Sequence, residues 1–145
     1  MPLGRPAALI DTGAIVAIVE SDDKWHFACL QAMLTMRIPV LTTESVLTEA
    51  FHLIGRNSGT TDRAWDFVRS GGIALRPMGD SDLPVLQALM AQYADRPMDF
   101  ADATLVHLAG RERISTILTI DHDDFETYRL PGRKKFTVLP VREKI

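Results

Sequence analysis

The sequence predicts an α/β protein: a three-layer α/β/α sandwich around a central, mostly parallel sheet. Two observations carry this. Short apolar runs alternate with helical patterns along the whole of the 145 residues. Those runs are continuously apolar rather than alternating, as in strands that helices cover on both faces. A third observation bounds the organisation: there is no internal repeat, low-complexity tract or long linker. A chain of this length is one domain's worth and builds a real core, so residues 1–145 read as one domain.

The elements follow in order. Residues 7–10 form an apolar run ending at Asp11 and read as the first strand. Residues 13–20 and 25–36 read as helices, parted by the polar turn Ser21, Asp22, Asp23. Residues 39–41 are a second short strand. Thr43 is placed to cap a helix to Ile54, which residues 55–59 close with Gly55 and Gly59. Thr60 or Thr61 opens another helix, ending at Gly71 and Gly72. Ile73, Ala74 and Leu75 make a third strand. Asp80 caps a helix to about Tyr93, with Pro84 in its first turn. A helix begins at Pro97, Met98, Asp99 and ends near Gly110. Residues 115–120, rich in β-branched side chains, are a fourth strand, and residues 136–139 a fifth.

Composition excludes several classes. Hydrophobic residues are 46% and charged residues 24%, as in an ordinary soluble globular protein. No apolar run approaches the roughly 18 residues that span a bilayer. The N-terminus, MPLGRPAALIDTG, has too short an apolar stretch for a signal peptide, and Asp11 interrupts it. A cytoplasmic protein without membrane contact is therefore expected. Cys29 is the single cysteine, so there is no internal disulfide and no cysteine metal cluster. The net charge of −3 argues against broad, non-specific nucleic-acid binding. The tail differs: from residue 129 onward Arg129, Arg133, Lys134, Lys135, Arg142 and Lys144 face one acid, Glu143.

Acids stand where packing alone would not put them. Asp11 and Asp121 each follow a strand directly, at the edge where α/β sheets bind ligands. Glu49 is three residues from Val46 and four from Leu53, in or beside the apolar stripe of its helix. Asp102 precedes Leu105 and Val106 by three and four residues, on their face. A charge on a buried face is costly unless it is paired or bound to a cation.

Each acid also has a purely structural reading. Asp11 ends a strand and can bond the next turn. Glu49 can be a solvated helix charge. Asp99 and Asp102 both suit a helix N-terminus. Asp121, Asp123 and Asp124 can form a solvated loop that caps the following turn. His26, His52, His107 and His122 show no metal-ligand spacing and read as structural or surface residues. Taken together, Asp11, Glu49, Asp102 and Asp121 say more. Carboxylates brought within about 5 Å repel by about 3 kcal/mol per pair at an effective dielectric near 20. Such a set persists if protonated or if it holds a cation, and oxygen-only donors select Mg²⁺ or Mn²⁺. That ion suits phosphoryl chemistry.

The hydrophobic-Asp-Thr at residues 10–12, Glu49 in TEAFHLI, Asp102 in FADATLVHLA and the stretch LTIDHDDF together resemble a PIN-domain ribonuclease, and most of all the VapC-type toxins of bacterial toxin–antitoxin pairs. The resemblance spans about residues 7–140. It implies an α/β/α sandwich and a Mg²⁺- or Mn²⁺-dependent endoribonuclease. It assigns catalysis and metal binding to Asp11, Glu49, Asp102 and Asp121. Thr12 and Thr119 match the hydroxyl positions beside the first and fourth acids, and Asp124 matches an acid that precedes Phe. Asp99 and Asp123 are additional here, Asp99 as the expected N-cap of its helix and Asp123 as a solvated residue. The resemblance further implies an RNA substrate, a cognate antitoxin protein and a homodimer. Apolar content in residues 25–36 and 65–68 agrees with the homodimer. Arg133, Lys134 and Lys135 are expected to steer RNA phosphates toward the acids.

Three other readings are weaker. A haloacid-dehalogenase-like phosphatase needs a second Asp where Gly13 stands. A receiver-type domain needs an acid pair after the first strand and a Lys after the last, and the chain has Asp11 alone and Thr119 with Asp121. A non-catalytic PIN-like module that only binds RNA or protein would not need all four acids.

Overall fold

The computed structural model describes residues 4–55 and 58–142. Its strands are β1 (Ala8–Ile10), β2 (Val40–Thr42), β3 (Ile73–Leu75), β4 (Thr116–Leu118), a two-residue pair β5 (Arg129–Leu130) and β6 (Lys134–Lys135), and β7 (Thr137–Leu139). Its helices are α1 (Thr12–Val19), α2 (His26–Leu34), α3 (Glu44–Ile54), α4 (Ser58–Val68), α5 (Leu83–Gln92), α6 (Phe100–Glu112) and α7 (His122–Thr127).

Five strands form one sheet in the order β3-β2-β1-β4-β7, every pair parallel. Leu9 pairs with Leu41 on one side and Ile117 on the other, and Ile10 pairs with Leu118. The central positions Ala8, Leu9, Ile10, Val40, Ile117 and Leu118 are wholly buried, which is why these strands read as unbroken apolar runs. Helices flank the sheet: α1 packs with α2, α3 and α4, while α6 packs with α3 and α5. The three-layer α/β/α expectation holds.

The strand order reverses between β1 and β4. Strands β1, β2 and β3 step outward one way, and the chain then returns through α5 and α6 to lay β4 on the other side of β1. At such a switch point the connections leave in opposite directions and a crevice opens beyond the strand ends. Asp11 leaves β1 at this point, held by a 2.9 Å bond from its N–H to Leu118 O. Thr119 leaves β4 beside it, its N–H bonded to Leu139 O at 2.9 Å.

Several local expectations are corrected. Thr43 stands at the N-cap position of α3 with extended backbone, but its hydroxyl makes no cap bond. It bonds Thr104 Oγ1 at 2.8 Å instead. Thr104 already donates to Ala101 O, so Thr43 is the donor in that pair. A buried hydroxyl takes whichever partner closes its environment, and here that partner ties α3 to α6. Leu53 lies outside the buried stripe of α3: Val46, Ala50 and Ile54 face the core and Leu53 is exposed. Asp82 rather than Asp80 stands at the N-cap position of α5, and its side chain makes no cap bond to that helix. A 3-10 turn spans Asp80–Asp82, and the Asp82 carboxylate accepts the Gly79 N–H at 2.8 Å. Gly55 does close α3 with φ +73°, but Gly59 lies inside α4, whose helix begins at Ser58 rather than at residue 60 or 61. Residues 56 and 57 of that closure, and Glu143 and Lys144 of the basic tail, lie outside the described residues. The β5–β6 pair and α7 have no counterpart in the sequence reading, being too short to show a period.

Gly13 explains a second constraint at the switch point. A Cβ added there would lie 2.6 Å from Ile120 Cγ1 and 2.9 Å from Cδ1. The first turn of α1 thus sits directly on the residue between Thr119 and Asp121. Gly13→Ala gains about 0.5–1 kcal/mol of helix propensity but overpacks by about 1–3 kcal/mol. The overpacking wins, so thermal melting of Gly13→Ala is expected to show a lower midpoint than the wild type. An unchanged or higher midpoint would refute the close contact.

Candidate active site

Asp11, Thr12, Gly13, Glu49, Leu53, Pro97, Asp99, Asp102, Ile120, Asp121 and Asp124 line one open cleft of about 430 Å³ at the switch point. All four predicted acids are therefore brought together, with Asp99 and Asp124 beside them. Among the described residues, no Lys or Arg lines this cleft. Asp123 is not part of it: its side chain is largely exposed and is ion-paired with Arg142.

Each acid is placed by a different element. Asp11 is the N-cap residue of α1, where its Oδ1 accepts the Thr12 N–H at 2.8 Å. Its Oδ2 accepts the Thr119 hydroxyl at 2.9 Å. That hydroxyl in turn accepts the Asp121 N–H at 2.9 Å, so Thr119 joins the first and fourth acids. Thr12 acts differently from Thr119. Its hydroxyl donates to Val46 O at 3.1 Å, pinning α1 to the turn of α3 that precedes Glu49. Asp99 is the N-cap of α6, accepting the Asp102 N–H at 2.7 Å, as its position before the helix predicts. Asp102 lies one turn in and is buried. Its Oδ2 accepts the Tyr128 hydroxyl at 3.0 Å. Asp121 precedes α7, and Asp124 in its first turn is bonded to Arg96 at 3.0 Å.

The electrostatics follow from this crowding. Burial pushes the Asp11 carboxyl up to about 6, with Glu49 and Asp99 adding like charge and the Thr119 and Thr12 hydrogen bonds opposing. Burial pushes Asp102 up to about 8, helped by the charges of Asp11, Asp99 and Asp121 and opposed by Tyr128. Asp121 is raised to about 7 by partial burial, by a hydrogen bond and the charge of Asp124, and by Asp11.

The donor set is oxygen only, which fits a hard divalent cation. No group of three His, Cys, Asp or Glu side chains among the described residues is already arranged to hold a metal ion. Carboxylates without a cation between them keep apart or share protons, as the raised values of Asp11, Asp102 and Asp121 express. The residues thus fit the ion in chemistry.

The histidines are structural or exposed. His26 Nδ1 lies 2.8 Å from Ala17 O and His122 Nε2 2.7 Å from Pro140 O, while His107 meets Asp82. The basic segment is elsewhere too. Lys134 borders a hollow with Gly110, Arg113 and Ser115 at the C-terminal end of α6. Asp102 is at the other end of that helix, about 12 Å away by the helical rise from residue 102 to 110. That exceeds the screening length of about 8 Å at physiological salt, so Arg133, Lys134 and Lys135 are badly placed for the steering expected of them. Two neighbours of the acids, Tyr128 and Arg96, escaped the sequence reading. They stand 26 and 28 residues from their partners in the chain, and no local pattern marks them.

A parallel sheet with an acid-lined cleft at its switch point defines the class of protein. A family model for the PIN domain matches residues 8–130, and the chain belongs to that family. It is 28% identical over 135 residues to Ribonuclease VapC26 of Mycobacterium tuberculosis, covering 91% of this chain and 99% of that one. It also resembles the crystal structure of M. tuberculosis VapC20, described as a sarcin-ricin loop cleaving toxin. The TM-score there is 0.71 at 18% identity, over 81% of this chain and 92% of that chain. The resemblance read from the sequence is borne out.

The raised carboxyls set the pH dependence of the metal-free protein. An unfolded Asp titrates near 3.9. From there to about 8 the unfolded chain has released the Asp102 proton while the folded chain keeps it. The folded state then binds more protons, so stability falls as pH rises through this range. In EDTA, the melting midpoint is expected to drop between pH 5.5 and 8.5, by roughly 5 °C if about 1–2 kcal/mol is lost. Millimolar Mn²⁺ should reverse the drop, since the cation replaces the protons. A flat or rising midpoint in EDTA would refute the crowded-acid account.

Proposed function

We propose that the chain is a Mg²⁺-dependent endoribonuclease, with Mn²⁺ able to substitute, and the toxin of a toxin–antitoxin pair. The observation that carries this reading is the convergence of Asp11, Glu49, Asp102 and Asp121 on one cleft. Family membership and the names of the similar proteins support it. Residues 1–145 act as one PIN-like domain. The partners are an RNA substrate, a cognate antitoxin protein and a second copy of the chain. Phe27 and Leu34 on α2 and Trp65 on α4, all exposed, agree with such contacts. A cytoplasmic location suits an RNA substrate, and no described helix is long and apolar enough to cross a membrane.

In this reading Asp11, Asp102, Asp121 and Glu49 hold the ion. When bound, Mg²⁺ supplies Lewis-acid chemistry at phosphate oxygens and makes water a better nucleophile. The chain's own residues orient the carboxylates. Thr119 fixes Asp11 and the backbone of Asp121, Thr12 fixes the α1–α3 junction, and Asp99 caps the helix that carries Asp102. Asp124 shares hydrogen bonding with Asp121 and is itself balanced by Arg96.

Asp99 and Asp102 give the sharpest test. Asn caps a helix about as well as Asp, so Asp99→Asn should keep its stability and a substantial fraction of activity. Asp102→Asn should abolish Mn²⁺-dependent cleavage of RNA while leaving the metal-free protein as stable as the wild type or more so, because the amide, unlike the carboxyl, cannot ionise beside the other acids. Cleavage rates and melting midpoints for both variants decide it. Cleavage by Asp102→Asn, with loss in Asp99→Asn, would reverse the assignment. RNA binding without any metal-dependent cleavage in the wild type would mark a non-catalytic PIN-like module instead.

A further inference from the structure

Tyr128 is wholly buried, one of the two tyrosines in the chain, and its hydroxyl is aimed at one atom. That atom is Asp102 Oδ2, at 3.0 Å. The ring is held from two sides by edge-on aromatic contacts: Phe125 at 5.2 Å and Tyr93 at 5.0 Å between centroids. Its backbone N–H bonds Asp124 O at 2.9 Å, closing α7. Tyr93 is fixed in turn, since its hydroxyl accepts the Arg129 N–H at 3.0 Å. The phenol therefore has little freedom to rotate or withdraw.

The other oxygen of Asp102 is in a different position. Oδ1 accepts no hydrogen bond among the described residues, yet no buried side-chain oxygen there lacks a partner. Oδ1 must therefore be the oxygen that opens on the cleft, which Asp102 lines. The carboxylate is thus split in function, with one oxygen tied to a rigid phenol and one presented outward.

We propose that Tyr128 is the positioning residue of the site, orienting Asp102 so that Oδ1 is presented to a divalent cation. A six-residue helix, α7, then has Asp121 at its start and Tyr128 at its end. One element sets both the fourth acid and, through the phenol, the third. A group that orients a ligand carboxylate in this way is worth about 10–100-fold in metal affinity. Burial, with the charge of Asp102 next, pushes the phenol well above its ordinary range, so it remains a donor.

The inference rests on the reading of Asp102 as a metal ligand, and the test separates the two. Mn²⁺ binding is measured by calorimetry on the full chain for wild type, Tyr128→Phe and Asp102→Asn, with melting in EDTA beside it. The expected result is Mn²⁺ affinity weakened about 10-fold or more in Tyr128→Phe. Its midpoint in EDTA should stay within a few degrees of wild type, because ring volume and aromatic packing are kept. Wild-type affinity in Tyr128→Phe, with binding lost in Asp102→Asn, overturns the role of Tyr128 alone. Wild-type affinity in Asp102→Asn overturns the metal reading and this inference with it. If Tyr128→Phe does not fold, the unaltered protein carries the test by NMR. Mg²⁺ drawing on Asp102 should shift the ring ¹³Cζ signal of Tyr128 more than that of Tyr93, and an equal or absent shift refutes the proposal.

Discussion

The structure depends on the parallel pairing of β1 with β4. Residues more than a hundred positions apart become neighbours there, with Ile10 beside Leu118 and the Asp11 N–H on the Leu118 carbonyl. Without that pairing Asp11 and Thr119 do not meet, and no hydroxyl links the first acid to the fourth. The pairing is driven by burial of Ala8, Leu9, Ile10, Ile117 and Leu118, all fully removed from water. Apolar burial of about 1.5–3 kcal/mol per large side chain is what offsets several like charges held at the sheet's edge.

The charges themselves are distributed so that no element bears them all. Asp11 begins α1, Glu49 lies on α3, Asp102 on α6 and Asp121 ahead of α7. Three of these elements are anchored to one another by hydroxyls rather than by charges: Thr12 of α1 to Val46 of α3, and Thr43 ahead of α3 to Thr104 of α6. Neutral hydrogen bonds resist salt and pH far better than ion pairs do, so the frame of the cleft stays fixed while its carboxyls change state.

Much of this was legible in the sequence. The order of strands and helices follows from continuous apolar runs between helical patterns, and the parallel sheet follows from that order. Asp11 and Asp121 announce themselves by ending strands, and Asp99 by preceding a helix. The rest was hidden for identifiable reasons. Leu53 has the right spacing for the buried stripe of α3 but falls at the cleft, where apolar walls and solvent meet. Thr43 has the right residue type for a cap, but a nearer partner on another helix takes its hydroxyl. Tyr128 and Arg96 act across long stretches of chain, and only the packed sheet brings them to their acids.

The placement of α7 so far along the chain from β1 bears on how the protein is made. A ribosome releases Asp11 and Glu49 more than sixty residues before β4, α7 and Tyr128. β1 and β2 can pair before then, yet the neighbour of β1 that carries Thr119 is still missing, and so is the phenol that holds Asp102. An incomplete nascent chain therefore holds only part of its acid set. For a ribonuclease, the cleft that gathers these acids is complete only once α7 has been made.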